Sequence, residues 1–368
     1  MPVPTAVARL IDRIQSARTH RGTLDIQGGC TKAFYGEPPR GEPLPLGELS
    51  GITSYEPTEL VVTARAGTPL AELEAALAER EQCLPFEPPK FASGGTVGGM
   101  VAAGLAGPAR AAAGSLRDYV LGVTMLNGRG ELLTFGGQVM KNVAGYDVSR
   151  LVAGSWGVLG VLCEVSLKVL GTRRATTTLE FDWDERRSLE ALARWGARPL
   201  PLSASAWHEG CLRIRLSGSG AAVESAASKL DGREVAAEAA ARWWSSLKDL
   251  THPFLDLRPA DLLAGECLWR LSLPAAVPPL ELPRAREARA GLVEWNGAQR
   301  WCRGSWTAEE VRAAAAAVGG HATLVRASDK SAGAFTRLAP PLMRIHGELK
   351  RAFDPDGIFN PGRLYAEL

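Results

Sequence analysis

Glycines recur at 94, 95, 98, 99, 104, 107 and 114 within the stretch from Pro85 to Asp118, with almost no bulky side chain between them. A glycine tolerates positive φ and lets another group approach its backbone closely. So many in one span imply that something other than side chains packs against this part of the chain. A pyrophosphate or a flat ring system answers that description, because successive backbone N–H groups form a concavity that holds an anion. For any single Gly-x-Gly-Gly, a turn between packed elements is the alternative. Two further stretches carry the same signature. Asp25-Ile-Gln-Gly-Gly-Cys-Thr-Lys32 is a short apolar strand entering a tight polar loop, and Gly154-Ser-Trp-Gly-Val-Leu-Gly160 leads into an apolar strand.

Chemistry that moves a proton needs a positioned base, and metal chemistry needs clustered ligands. The five histidines, at 20, 208, 252, 321 and 346, are scattered, and no pair has metal-ligand spacing. The six cysteines, at 30, 83, 163, 211, 267 and 302, form no Cys-x-x-Cys pair. They read as reduced, mostly buried thiols of a cytoplasmic protein. Their spacing excludes an iron–sulfur cluster held by closely spaced cysteines, so any such cluster belongs to a partner.

At 368 residues the chain exceeds one typical core, and two domains are expected. A net charge of +2 gives no reason to expect nucleic acid or an anionic membrane as partner. No uncharged apolar run is long enough to span a bilayer. Arg9, Asp12 and Arg13 interrupt the N-terminus before a secretory core could form. Of the 40 glycines, 25 fall within residues 1–171, which marks a change of texture near Gly171.

The elements that must position the glycine loops follow from periodicity. Residues 5–17 have helical spacing, 24–26 form a strand, and the proline-rich residues 37–51 are expected to be irregular. Strands are expected over 52–55 and 59–66, with Thr68-Pro69 capping a helix that presents Leu70, Leu73 and Leu77. Asn127-Gly-Arg-Gly130 signals a hairpin between strands 119–127 and 131–135. Asp147 is placed to cap a helix over 148–153, and 158–170 reads as a buried strand. Beyond 176, strands at 176–181, 203–207, 212–216, 267–273, 297–302 and 321–326 alternate with helices at 185–195, 221–230, 238–250 and 308–318. That pattern predicts an antiparallel sheet backed by helices on one side. A last helix over 342–353 precedes the tail.

Gly28-Gly-x-Thr31, Thr96-Val-Gly-Gly-Met100 and Gly154-Ser-x-Gly-x-Leu-Gly-Val161, in this order, resemble the FAD-binding domain of vanillyl-alcohol-oxidase-type flavoproteins. With Gly145-Tyr-Asp147 and the ending Phe353-Asp-Pro-Asp-Gly-Ile-Phe-Asn-Pro-Gly-Arg363, nearly the whole chain resembles the FAD-binding subunits of bacterial glycolate oxidase. The resemblance implies an α+β architecture. A FAD-binding domain of two small α/β subdomains would occupy residues 1–171, an α+β cap domain with an antiparallel sheet 172–330, and a helix and tail returning to the FAD domain 331–368. It implies one pyrophosphate loop at Gly28, Gly29, Thr31 and Lys32, and a second at Thr96, Val97, Gly98 and Gly99. Ser115 and Asp118 would lie close by, with ordinary turn chemistry as their alternative. Gly157, Gly160, Val161 and Val165 would face the ribityl chain or adenine, and Pro88, Gly114 and Asn360 complete the cofactor-binding set. Lys141, Asn142 and Arg363 would approach the flavin ring, or else make surface salt bridges.

Cys30 stands where relatives with covalent flavin carry a histidine; a thiolate attached to the flavin would need an activated, exposed cysteine, and the expectation is a small loop-filling residue with non-covalent FAD. The His-x-Gly-Asp-Gly-Asn type of motif found in catalytic relatives is missing. The expected function is therefore a subunit that holds FAD and passes electrons while a larger FAD-containing sister subunit oxidises glycolate to glyoxylate. An iron–sulfur subunit would accept the electrons, and any membrane association would be reached through partners. A self-sufficient FAD-linked 2-hydroxy-acid oxidoreductase and a flavin-free assembly scaffold are the alternatives.

Overall fold

Val7, Leu10 and Ile14 bury one face of α1 (Thr5–His20), as their spacing requires. A computed structural model describes residues 5–137, 147–282 and 291–368 of the chain. After α1 come β1 (Leu24–Gln27), β2 (Glu42–Pro45), β3 (Ile52–Glu56), β4 (Val61–Arg65), α2 (Leu70–Ala78) and β5 (Gln82–Cys83). There follow α3 (Val97–Ala103), α4 (Arg110–Ala113), β6 (Val120–Leu126), β7 (Leu132–Gly136), α5 (Val148–Leu151), β8 (Val161–Lys168) and β9 (Leu170–Gly171). By internal contacts the chain divides into two units: Met1–Leu105, Ser115–Gly171 and Arg337–Leu368 form one, and Ala106–Gly114 with Thr172–Thr336 the other.

The first unit carries a five-stranded antiparallel sheet in the order β3-β4-β8-β6-β7. Its central strand β8 is buried along most of its length, and Val161, Val165 and Leu167 are fully enclosed. Separately, β1 and β2 pair in parallel, so residues 37–51 are not wholly irregular as their composition suggests. The prolines at 43 and 45 are tolerated because the N–H groups of Glu42 and Leu46 are the ones that face β1, donating to Thr23 and Gln27 carbonyls. Nor does Thr68 cap α2. Its hydroxyl instead exchanges hydrogen bonds with the Gly51 main chain, accepting at 2.9 Å and donating at 3.1 Å. Asp147 does cap α5, accepting from Arg150 N, although that helix stops at Leu151.

The second unit comprises β10 (Ala175–Asp182), α6 (Glu185–Gly196), β11 (Leu202–His208), β12 (Cys211–Gly218), α7 (Gly220–Leu230), β13 (Arg233–Val235), α8 (Ala237–Lys248) and α9 (Pro259–Leu263). It continues through β14 (Cys267–Ser272), β15 (Leu292–Glu294), β16 (Gln299–Gly304), α10 (Ala308–Ala317) and β17 (His321–Arg326). Eight strands form one antiparallel sheet in the order β13-β10-β12-β11-β15-β16-β14-β17. One face packs two apolar clusters beneath α6, α7 and α10. The expectation of helices on one side only is corrected by α8, which covers the other face. There Trp244 Nε1 donates to Thr178 Oγ1, and the Arg213 guanidinium lies 4.7 Å from the Trp243 ring centroid. The alternation of Leu212, Ile214 and Leu216 with Arg213 and Arg215 lets β12 serve both layers.

The last helix, α11 (Pro340–Phe353), belongs to the first unit. Its Lys350 is buried and donates to the Val158 carbonyl at 2.8 Å, the Phe359 carbonyl at 2.7 Å and Asp354 Oδ2 at 2.7 Å. Asp354 in turn accepts from the N–H groups of Ile358 and Phe359. Burial pulls the Lys350 ammonium down from its usual range, and Asp354 opposes that shift. Every oxygen and proton in the knot is used, which makes breaking it costly. Lys350→Met is expected to lower unfolding stability by about 3–5 kcal/mol, because Asp354 is left as a buried, unpaired carboxylate. Denaturant titration checks this, and an unchanged midpoint would contradict it.

Candidate functional site

Gln27 ends β1 and the chain turns into the loop 28–33. The left-handed backbone at Cys30 (φ 52°) produces that turn. The N–H groups of Gly28, Gly29, Cys30 and Thr31 donate to no group among the described residues. Four successive open donors in a turn are the kind of concavity that takes an anion. A Cβ added at Gly29 would land on the Gly94 carbonyl oxygen, and one at Gly28 on the Thr96 hydroxyl. The two glycine loops therefore touch main chain to main chain.

The second loop is organised differently. Thr96 caps α3, its Oγ1 accepting from Gly99 N at 3.2 Å. Val97 N donates to the Thr68 carbonyl and Gly98 N to the Ala66 carbonyl. The N–H groups of Val97, Gly98 and Gly99 are thus already used within the protein. At Gly98 a Cβ would stand 2.7 Å from the Ala66 Cβ, and at Gly104 2.8 Å from the Gly154 Cα. What packs on these glycines is the protein's own chain. The third cluster behaves likewise at Gly160, where a Cβ would lie 2.5 Å from the Leu126 carbonyl oxygen.

All three clusters border one cleft of about 910 Å³, open solvent at its mouth included. It is lined by Gly28, Gly29, Cys30, Thr31, Lys32, Thr96, Gly98, Gly99, Gly157, Gly160 and Asn360 among the residues expected from sequence. Every one of these residues lies in the first unit. The others expected there do not line it. Val97, Val161 and Val165 are fully buried in α3 and β8, and Pro88 is buried in the loop before α3. Gly114 ends α4 and belongs to the second unit. Ser115 and Asp118 form a capping box, with Ser115 N and Oγ both donating to Asp118 Oδ2 at 2.8 Å. Burial opposes ionisation of Asp118, but the two Ser115 bonds together with the Arg150 and Arg117 charges outweigh it and hold its carboxyl below the usual range. Lys141 and Asn142, with Gly145 and Tyr146, lie outside the described residues.

The cleft also contains Trp156, which spacing alone does not reveal, and Arg363, expected from the tail motif. Trp156, in the left-handed region at φ 52°, stacks on Tyr35 with ring centroids 5.4 Å apart and planes 9° from parallel. The Arg363 guanidinium sits 5.0 Å from the Trp156 ring centroid, and its Nη2 donates to the Lys32 and Ala33 carbonyls. Lys32 Nζ lies 5.6 Å from the Phe91 centroid. Burial draws the Arg363 pKa down, and the Asp25 and Glu37 carboxylates partly offset this. Asn360 staples three segments: its Oδ1 accepts from Ile26 N, its Nδ2 donates to the Trp156 carbonyl, and its N donates to the Leu24 carbonyl. For Cys30, burial and then Asp25 push the thiol pKa up, the opposite of what an activated nucleophile needs. No histidine lines the cleft, and no group of three metal-ligating side chains occurs among the described residues.

Open N–H donors, two buried cations and a ring-lined wall suit a ligand that joins an anionic bridge to flat rings. A family model described as FAD binding domain matches residues 3–136. The chain is similar over 359 residues to the glycolate oxidase subunit GlcE of Escherichia coli, with 44% identity covering 98% of this chain and 97% of that one. It also resembles the D-lactate dehydrogenase of Anaerostipes hadrus, at 32% identity over 39% of this chain and 30% of the other. The Bacillus subtilis glycolate oxidase subunit GlcD is 28% identical over 49% of this chain and 39% of its own length. Among solved structures, alkyldihydroxyacetonephosphate synthase superposes with a TM-score of 0.64 at 14% identity, covering 96% of this chain and 75% of that one, which bears on the fold alone. The family match and these relatives place the chain among FAD-dependent oxidoreductases acting on CH–OH donors. Within that class, the chain belongs to the GlcE family of glycolate oxidase subunits.

Asn360→Ala removes the partners of Ile26 N–H and the Trp156 carbonyl at a site only 5% exposed. Stability is expected to fall by about 1–3 kcal/mol. Urea unfolding with an unchanged m-value would register it, and a loss below about 0.5 kcal/mol would contradict the staple.

Proposed function

We propose that this chain is the FAD-holding subunit of a multi-subunit glycolate oxidase, in which glycolate is oxidised to glyoxylate and electrons leave through partner subunits. The observation that carries this reading is similarity to a glycolate oxidase subunit over nearly the full length of both chains. When bound, FAD supplies a two-electron acceptor for the hydroxy-acid carbon. The chain's own part is to bind and orient it. The N–H groups of Gly28 to Thr31 and the cations Lys32 and Arg363 would hold the anionic portion. Trp156 and Tyr35 would screen one side of the cleft from water. Asn360 would keep the walls in register.

Non-covalent attachment accords with the raised Cys30 pKa. The proposed partners are a larger FAD-containing subunit and an iron–sulfur subunit. The six cysteines of this chain form no disulfide and are dispersed, so a cluster would be the partner's. No helix among the described residues is long and apolar enough to cross a membrane, which accords with the proposed cytoplasmic location. On the same reading, residues 1–171 hold the cofactor, 172–330 cap it and 331–368 close the cofactor domain.

The test is to purify the tagged chain alone and together with both partners, recording visible absorbance and glycolate-dependent dye reduction. The expected outcome is flavin absorbance in the chain alone, its yellow colour released into the supernatant on acid precipitation. Dye reduction is expected only with the partners present. Absence of flavin in both preparations would favour the scaffold. Glycolate oxidation by the isolated chain would favour a self-sufficient enzyme.

A further inference from the structure

Arg363 is the cation of the cleft whose bonding is incomplete. Only 6% of the residue is exposed. Two carbonyls at the far end of the loop 28–33 hold one edge of its guanidinium, and the Trp156 ring holds one face. Its Nη1 has no hydrogen-bond partner. No carboxylate within ion-pair distance is found for it among the described residues, and Asp25 and Glu37 act on it only from further away. A buried donor left unmade is costly, and a buried charge more so. The arrangement is therefore incomplete without an anion.

The neighbouring groups specify which anion. Arg363 is fastened to Lys32 and Ala33, the residues that directly follow the four open N–H groups of Gly28, Gly29, Cys30 and Thr31. A row of main-chain donors with a planar fork beside it suits oxygen atoms of a diphosphate, since guanidinium pairs well with phosphate geometry. The flat ring of an oxidised flavin offers no such concentration of charge.

We propose that the Arg363 guanidinium binds the diphosphate of the cofactor and makes no contact with the flavin ring. This rests on the FAD reading above. Trp156 is then the positioning residue that fixes the guanidinium plane, and Lys350 with Asp354 anchors the tail that delivers it.

The test uses the full-length chain freed of flavin, with FAD, ADP and riboflavin as separate probes. Arg363→Met is expected to weaken FAD and ADP alike, by about tenfold to a hundredfold, the range of a lost charge-assisted hydrogen bond. Riboflavin affinity and the reduction potential of bound flavin should stay at wild-type values. Arg363→Lys keeps the charge without the fork and should lose less. It also serves if the methionine variant fails to fold. Weakened riboflavin with unchanged ADP, or a shifted potential, would overturn the proposal by placing Arg363 at the ring. Unchanged FAD affinity in a folded variant would overturn it outright while leaving the FAD reading intact. A wild-type chain that takes up no FAD would sink both together.

Discussion

The structure depends on a contact that admits no side chain. Gly29 lies against the Gly94 carbonyl so closely that a single methyl group would occupy the oxygen's place. Two main-chain segments more than sixty residues apart in sequence thereby become one wall of the cleft. Overpacking such a contact forces backbone shifts, because nothing flexible is available to move aside. Around it, Asn360 ties the loop before β8 to β1, and the Lys350–Asp354 knot holds the tail that bears Asn360 and Arg363. The cleft is thus built from main chain and fastened by a few buried polar side chains.

The glycines were the most legible part of the chain, yet their meaning was only half readable. Their type and order lead to the cleft and to the FAD-binding family. The inference that a ligand packs against each one is corrected at Gly98, Gly104 and Gly160, where the neighbour is the protein's own main chain. The Thr96–Gly99 run looks like an anion-binding turn, but Val97, Gly98 and Gly99 spend their N–H groups internally. A sequence shows that a donor exists and does not show what occupies it. Helices and strands with clear periodicity came out at or near their observed bounds. The strand β2 did not, because proline content outweighs the alternation of N–H directions that makes it possible. Trp156 was not singled out from sequence, and Arg363 was named from the tail motif without its partners. Their roles arise from a stacking contact with Tyr35 and from carbonyls more than three hundred residues away.

Chemically, the cleft offers donors, cations and rings and carries no histidine. Such a lining suits binding and orienting a cofactor. That accords with membership in a family of subunits, where the reacting group and its acid–base partners need not reside in one chain. The raised thiol pKa at Cys30 fits the same division, leaving the residue as part of the loop wall.

Flavin occupancy of purified Gly29→Ala, read as visible absorbance per folded chain, bears most directly on the main-chain contact. The account predicts a chain that still folds, with a normal far-ultraviolet circular dichroism spectrum, but retains little flavin, since a displacement costing about 1–3 kcal/mol at the wall lowers affinity roughly tenfold to a hundredfold. Wild-type flavin content in that variant would contradict the claim that these two loops must meet for the cofactor to be held.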